Sequence, residues 1–499
     1  MIDEIHIEKI NEVSLRFLGG LDSCLELKSF SSHFAPNYKF HPKFRNRIWN
    51  GKISWFDNKT KTFPIGLLPE VYEFGKRYGY KIVLDFDVSS IVPAGVPDEK
   101  IAKFIDIVFE GKNIRPRDYQ TKAISAILNN GRGVVQSPTA SGKSIIIYTA
   151  IRYLAAKGKK VLLVVPNTSL VEQMFSDFTE YGWDEIRNYV EILYSGEKPT
   201  FGKQVLISTF QSLMRKDPEF FEKYDAVFFD ECHMSKSVEI QKIAKKCSNA
   251  NFRIGLTGTM PTEPADVFNI KGAIGPIIYK LMSKELIDEG YLAKIQVVNC
   301  LLKYPEDVKK KGQNRSYPEE SRYIQELPCR MKAFDRVFEK INDGENIIIL
   351  VNHIEHLKAI ESYLTDKLPD KYSVYTIYGD VDTEKREVIR HTMNNESNAV
   401  LIGTYGCVST GINIRKVHNI ILAFSSKSEI RVLQSIGRGL RTHEEKSKVI
   451  IWDLIDDFTR KTRSGEIKGN YFFLHWIHRL NYYKKQKFPI CKMEIDLSK

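Results

Sequence analysis

The chain has 499 residues, 42% hydrophobic and 27% charged, the composition of an ordinary water-soluble protein and not of a collagen-like, low-complexity or disordered one. That length is too great for one hydrophobic core and suggests roughly three domains. With 74 basic against 62 acidic side chains the formal charge is +12, which fits a polyanionic partner as well as a merely soluble basic surface. The seven cysteines, at 24, 232, 247, 300, 329, 407 and 491, include no CxxC pair, which argues against a disulfide framework and against zinc. No segment reaches the roughly 20 apolar residues needed to span a bilayer. The opening MIDEIHIEKI is too charged for a signal peptide, so a cytoplasmic location without a membrane partner is expected.

In chain order, residues 1–100 mix aromatic and basic side chains with turns at Gly19, Gly20, Asn50 and Gly51, and read as a small separate α/β domain. Its stretch YKFHPKFRNRIWNGKISWFDNKTKTF, residues 38–63, carries seven Lys or Arg against one acid, interleaved with seven aromatic residues. Cations neutralise phosphates while rings stack on bases or wedge into a groove. Lys43, Arg45, Arg47 and Lys52 are the candidate DNA contacts, with Trp49 beside them. For Trp49 and Trp55 a place in the core is an equal reading.

From about residue 101 to 290, β-branched runs alternate with helical patterns, as in a parallel sheet covered on both faces. VLLVVP (161–166), VLIST (205–209), AVFFD (226–230) and RIGLTGT (253–259) are the clearest strands. SPTASGKS, 137–144, has the frame of a phosphate loop fed by VVQ and followed by a helical stretch. Gly142, with Thr139, Ala140 and Ser141, would let backbone N–H groups close around phosphate oxygens at a helix N-terminus. Lys143 would reach the β- and γ-phosphates and the Ser144 hydroxyl would ligate Mg2+. AVFFDECH ends an apolar strand in adjacent carboxylates: Asp230 to hold the magnesium through water, Glu231 to orient and deprotonate the attacking water. His233 is placed to link that region to LTGT. In RPRDYQ, Gln120 could pair with both a donor and an acceptor on the adenine edge, favouring ATP.

Residues 303–328 are polar, punctuated by prolines and the run KKKG, and read as a connecting loop or insertion. The second α/β domain, 291–457, has NIIILVN, SVYTIYG, AVLIGT, NIILAF and KVIIWDLID as strands. Near its end VLQSIGRGLR places Arg438 and Arg441 three residues apart on one helix face, able to reach a γ-phosphate across an interdomain cleft. Residues 458–499 read as a short helical extension whose Phe473, Ile477 and Leu480 have the spacing of a buried face, with Lys484, Lys485 and Lys487 solvated.

The ordered set RPRDYQ, SPTASGKS, VVPNTSLVEQM, ISTFQSL, DECH, LTGTM, IYGDVDTEKR, GTYGCVSTGINI and QSIGRGLR resembles a superfamily 2 helicase over residues 110–456. Within that group the chain is most similar to the phage branch-migration helicases of the UvsW type. The resemblance implies two tandem RecA-like parallel-sheet domains after an N-terminal DNA-binding domain, with ATP and Mg2+ as cofactors and branched or duplex DNA as partner. It implies that Thr257 and Thr259 couple hydrolysis to strand movement. Regions around Thr168, Thr209, Gly379 and Thr404 would track the nucleic-acid backbone, Gly411 and Asn413 would touch nucleotide, and Gln434 would act with Arg438 and Arg441. Ser137 replaces the first loop glycine, and Asn413 stands where many relatives have aspartate. An RNA helicase, the motor subunit of a restriction-type nuclease and a non-catalytic DNA-binding scaffold are the other readings.

Overall fold

A computed structural model describes residues 3–194, 200, 202–233, 237–379, 381, 383–411, 414, 416–428, 448–461 and 464–498. The chain divides into two compact units, one of residues 1–137 with 142–281, the other of 138–141 with 282–499.

The first unit contains two sheets. A four-stranded sheet near the N-terminus runs in the order Thr62–Pro64, Ser14–Leu18, Glu4–Lys9, Lys81–Leu84, with only the last pair parallel. Period-two burial along Glu4–Lys9 puts Ile5 and Ile7 inward beside Leu15, Phe17 and Phe74. A separate hairpin, Ser32–Phe34 with Lys52–Ser54, encloses the first part of the basic-aromatic stretch, residues 38–51. This small domain is joined to the larger one by polar contacts as well as packing. Trp55 Nε1 donates to Asn269 Oδ1 at 2.9 Å, Lys271 pairs with Glu70 at 2.6 Å, and Arg132 Nη2 donates to the Glu12 carbonyl at 2.9 Å.

The larger sheet of this unit has seven strands, every neighbouring pair parallel. Their order is Ile277–Lys280, Arg132–Gln136, Phe252–Thr257, Ala226–Phe229, Val161–Val165, Val205–Thr209, Val190–Leu193. Val161–Val165 and Val205–Thr209 are buried at every position, the condition that writes a parallel strand as an unbroken apolar run. The order places the strand feeding the phosphate loop two positions from the strand that leads into Asp230, with the strand ending in Thr257 between them.

The second unit is again a seven-stranded, wholly parallel sheet. It runs Ser373–Ile377, Ala399–Thr404, Ile347–Val351, Asn419–Leu422, Lys448–Asp456, Lys294–Lys303, Ile490–Asp496. Two expectations change here. The stretch 303–328 is not a loop: it forms helices Glu306–Gly312 and Tyr317–Gln325, the second started by a Ser316–Glu319 capping box. Its Glu320 is buried because it accepts from the backbone N–H of Tyr471 (3.0 Å) and Phe472 (2.8 Å) and from Asn470 Nδ2 (2.9 Å), capping a helix near the C-terminus from outside.

That helix, Tyr471–Lys485, is the expected C-terminal one, but its buried face is Phe472, Arg479, Tyr482 and Tyr483, while Ile477 is 38% exposed. The reason is electrostatic. Arg479 lies in a fork with Asp453, Nη2 to Oδ1 at 2.7 Å and Nε to Oδ2 at 2.9 Å, and Tyr483 donates to the same carboxylate at 2.9 Å. The chain then adds Ile490–Asp496 as the sheet's last strand. No helix among the described residues is long and apolar enough to cross a membrane.

Candidate active site

The phosphate loop leaves the strand Arg132–Gln136, and Ser137 N donates to the Thr257 carbonyl at 2.9 Å, tying the loop to the strand beside it. Ala140 (φ 67°) and Gly142 (φ 75°) both lie in the left-handed region. At 142 the left-handed backbone favours glycine, and a Cβ there would stand 2.4 Å from Gln120 Nε2, so that amide would have to move. Ser141 Oγ closes the turn by donating to the Pro138 carbonyl at 2.7 Å. The helix Lys143–Ala156 starts immediately afterwards, so its free N–H groups and positive dipole end face the loop.

Gln120 lies beside this loop, its Nε2 next to Gly142. It is buried, and its Oε1 accepts from Arg117 N at 2.8 Å. Lys143 Nζ lies 3.3 Å from Glu231 Oε1, so the loop lysine and the second carboxylate of DECH form an ion pair. Glu231 itself has φ 46°, a left-handed non-glycine residue held at the end of a core strand.

From Glu231 the contacts continue to Thr257 and Thr259. His233 Nδ1 lies 3.3 Å from Glu231 Oε2 and 2.6 Å from Thr257 Oγ1. Because Thr257 Oγ1 donates its proton to the Thr259 carbonyl at 2.7 Å, it accepts from the histidine, which therefore carries its proton on Nδ1. Thr259 N returns a bond to Thr257 Oγ1 at 3.2 Å. Lys143, Glu231, His233, Thr257 and Thr259 thus form one continuous chain of contacts.

Burial, and after it the negative charge of Glu231, pushes the Asp230 carboxyl up to about 7. Burial would raise Glu231 as well, but Lys143 and then His233 outweigh it and hold that carboxyl below its ordinary value. Burial lowers His233 from its ordinary value, against the upward pull of the Glu231 charge. Asp230 Oδ1 is buried without a hydrogen-bond partner. An unpartnered carboxylate oxygen at a strand's carboxyl end, near a phosphate loop that offers the Ser144 hydroxyl, fits a divalent cation such as Mg2+. Ser144 Oγ also lies 2.7 Å from the Tyr181 hydroxyl, a neighbour that nothing in the linear order suggests.

Of the remaining candidates, Thr168 is exposed at the start of helix Thr168–Glu180, and Thr209 is buried, its Oγ1 capping the helix Phe210–Met214 by accepting from Ser212 N at 3.3 Å. Both follow carboxyl ends of sheet strands. In the second unit Thr404 ends the strand Ala399–Thr404, Gly379 is exposed in the turn after Ser373–Ile377, and Gly411 ends the helix Tyr405–Gly411. Asn413, Gln434, Arg438 and Arg441 lie outside the described residues.

In the small domain Lys43, Arg45, Arg47 and Lys52 are all exposed, and Lys52 Nζ stands 5.3 Å over the Phe34 ring. Trp49 is half-buried at this surface, its Nε1 donating to the Lys52 carbonyl at 2.8 Å. Trp55 is core, 7% exposed.

Residues 113–262 match the family described as Type III restriction enzyme, res subunit, and residues 329–443 the Helicase conserved C-terminal domain. With a parallel RecA-like sheet beneath each, the class is that of a superfamily 2 helicase. Residues 17–85 match the family described as DNA helicase UvsW, N-terminal. The chain is 30% identical over 485 residues to the ATP-dependent DNA helicase uvsW of Enterobacteria phage T4, covering 95% of each. It is similar to the T4 UvsW crystal structure with a TM-score of 0.52 at 27% identity, over 99% of this chain and 100% of that one. A putative helicase 22 of Sulfolobus islandicus filamentous virus is 25% identical over 441 residues, 83% of this chain and 76% of that protein. The chain belongs to the UvsW family of DNA helicases.

Proposed function

We propose that the protein is an ATP-dependent DNA helicase or translocase that remodels branched DNA such as forks, Holliday junctions, D-loops or R-loops. The observation that carries the reading is the chain of contacts from Lys143 through Glu231 and His233 to Thr257. It joins the groups that would meet phosphate to groups that end on a strand-exit loop, where movement could be passed on.

In this mechanism ATP lies on the phosphate loop with its adenine edge read by Gln120, and Lys143 leaves Glu231 for the β- and γ-phosphates. Freed of that cation, Glu231 orients a water and takes its proton as the water oxygen bonds to the γ-phosphorus and the bond to the β–γ bridging oxygen breaks. Ser144 and Asp230 would hold magnesium, which when bound offsets the charge of the phosphates. Arg438 and Arg441, with Gln434, would act on the γ-phosphate, and Gly411 and Asn413 would touch nucleotide. Loss of such an arginine typically costs about three to five orders of magnitude in turnover. Thr168, Thr209, Gly379 and Thr404 follow the DNA backbone, while Lys43, Arg45, Arg47, Trp49 and Lys52 grip the duplex.

The test is ATP hydrolysis measured with linear, forked and four-way DNA and with RNA, beside Lys143→Ala. Stimulation strongest on branched DNA and lost in the variant is expected. Equal or stronger stimulation by RNA would move the protein to the RNA helicases, and DNA binding without hydrolysis would leave a scaffold.

A further inference from the structure

The hydroxyl of Ser144, 2.7 Å from the Tyr181 hydroxyl, has a partner that the reaction described above does not use. Tyr181 is held from three sides. Its N–H donates to the Asp177 carbonyl at 2.9 Å, its carbonyl accepts from the Tyr148 hydroxyl at 3.3 Å, and its ring meets Tyr148 edge-on with centroids 5.3 Å apart. It is 9% exposed, so its phenol oxygen has little freedom to turn away. The helix that delivers it also brings Asp177 close enough to add to the upward push on Asp230.

A serine hydroxyl has one proton and two lone pairs. When it ligates a cation, a lone pair must face the metal and the proton must point elsewhere, onto an acceptor. We propose that Tyr181 is a positioning residue for nucleotide-bound magnesium: its phenol oxygen accepts the Ser144 proton and so turns a serine lone pair toward the cation. Partners of this kind, one bond removed from the metal, commonly fix the orientation of its ligands. The inference rests on the reading of Ser144 as a metal ligand. Tyr181 caps the C-terminus of the helix that begins at Thr168, so this positioning group and a proposed DNA-tracking residue sit at the two ends of one element.

The experiment uses Tyr181→Phe, which keeps the ring and its packing, with Tyr148→Phe and Ser144→Ala beside it. Mn2+ binding to the protein–ADP complex is followed by electron paramagnetic resonance, and the Mg2+ concentration giving half-maximal ATPase is measured separately. For Tyr181→Phe, Mn2+ binding is expected to weaken about fivefold, the loss of one neutral hydrogen bond, with the half-maximal Mg2+ rising by the same factor. ADP affinity in EDTA is expected to stay at the wild-type value, which a damaged fold would not allow. Tyr148→Phe, which keeps the ring contact and loses only the 3.3 Å bond to the Tyr181 carbonyl, is expected to weaken metal binding less than Tyr181→Phe does. Weakening in Ser144→Ala with none, or with tightening, in Tyr181→Phe overturns the role of Tyr181 alone. Unaltered Mn2+ binding in Ser144→Ala overturns the metal-ligand reading and this proposal with it.

Discussion

Replacing Asp230 by asparagine should abolish hydrolysis and, in the absence of metal, make the folded protein more stable. The carboxyl rises from 3.8 to about 7, a shift of about three pH units, because burial and the neighbouring Glu231 charge oppose its ionisation. At about 1.4 kcal/mol per unit, the ionised form is disfavoured in the fold by about 4 kcal/mol. The asparagine amide is itself imperfectly partnered there, which costs about 1–3 kcal/mol and leaves a net gain of about 1–3 kcal/mol. The sign follows from linkage. Below about pH 4 the folded and unfolded wild-type chains both hold the proton and there is no penalty. Between about 4 and 7 only the unfolded chain ionises, so wild-type stability falls as pH rises, and above about 7 the full penalty stands. Urea denaturation of wild type and Asp230→Asn in EDTA, from pH 4.5 to 8.5, measures the difference. An advantage for the variant that grows with pH is expected. A variant no more stable than wild type at high pH, or one whose advantage is flat across the range, would refute the claim that Asp230 is a buried, repelled carboxylate.

Two further outcomes follow from other parts of the chain. Changing Lys43, Arg45, Arg47 and Lys52 together to alanine should weaken duplex binding and lower the slope of log affinity against log salt by up to about 3–4, roughly 0.9 for each phosphate no longer neutralised. Fluorescence anisotropy at several salt concentrations measures this, and unchanged affinity at low salt would remove the exposed hairpin from the DNA interface. Arg479→Met leaves Asp453 buried with its main cation gone, which should destabilise the second unit by about 3–5 kcal/mol. Adding Asp453→Leu should recover much of that in urea denaturation, since the cost lies in the orphaned charge; no recovery would show that the side chains matter by shape instead.

The central strands were readable because a parallel strand buried on both faces is an apolar, β-branched run, and VLLVVP and NIIILVN have that form. The strand Lys294–Lys303 is less apparent because Asn299 interrupts it, buried and accepting from Trp476 Nε1 at 3.3 Å. Ile490–Asp496 is an edge strand in which lysine, glutamate and aspartate are tolerated, so its composition resembles a tail. The errors over 303–328 and over the face of the last helix share one cause. Glu320 and Arg479 read as solvated charges in a linear sequence, yet each is buried by partners more than twenty residues away, the Asn470 amide with the 471–472 backbone for one and Asp453 for the other. Charge is a reliable sign of exposure only where no such partner exists, and that is a property of the fold.

The active site divides along the same line. Lys143, Asp230 and Glu231 stand in local patterns whose chemistry follows from strand, turn and helix order, and the fold brings Lys143 and Glu231 to 3.3 Å. Tyr181 stands in no such pattern. Its place beside Ser144 depends on how far the helix Thr168–Glu180 runs before the chain turns, and on the packing of Tyr148 against it, and both are set by side chains distant in sequence. Groups that do chemistry must be near one another and are often carried on short motifs. Groups that orient them need only reach from wherever the packing leaves a hydroxyl, so in this protein they become visible only once the core has formed.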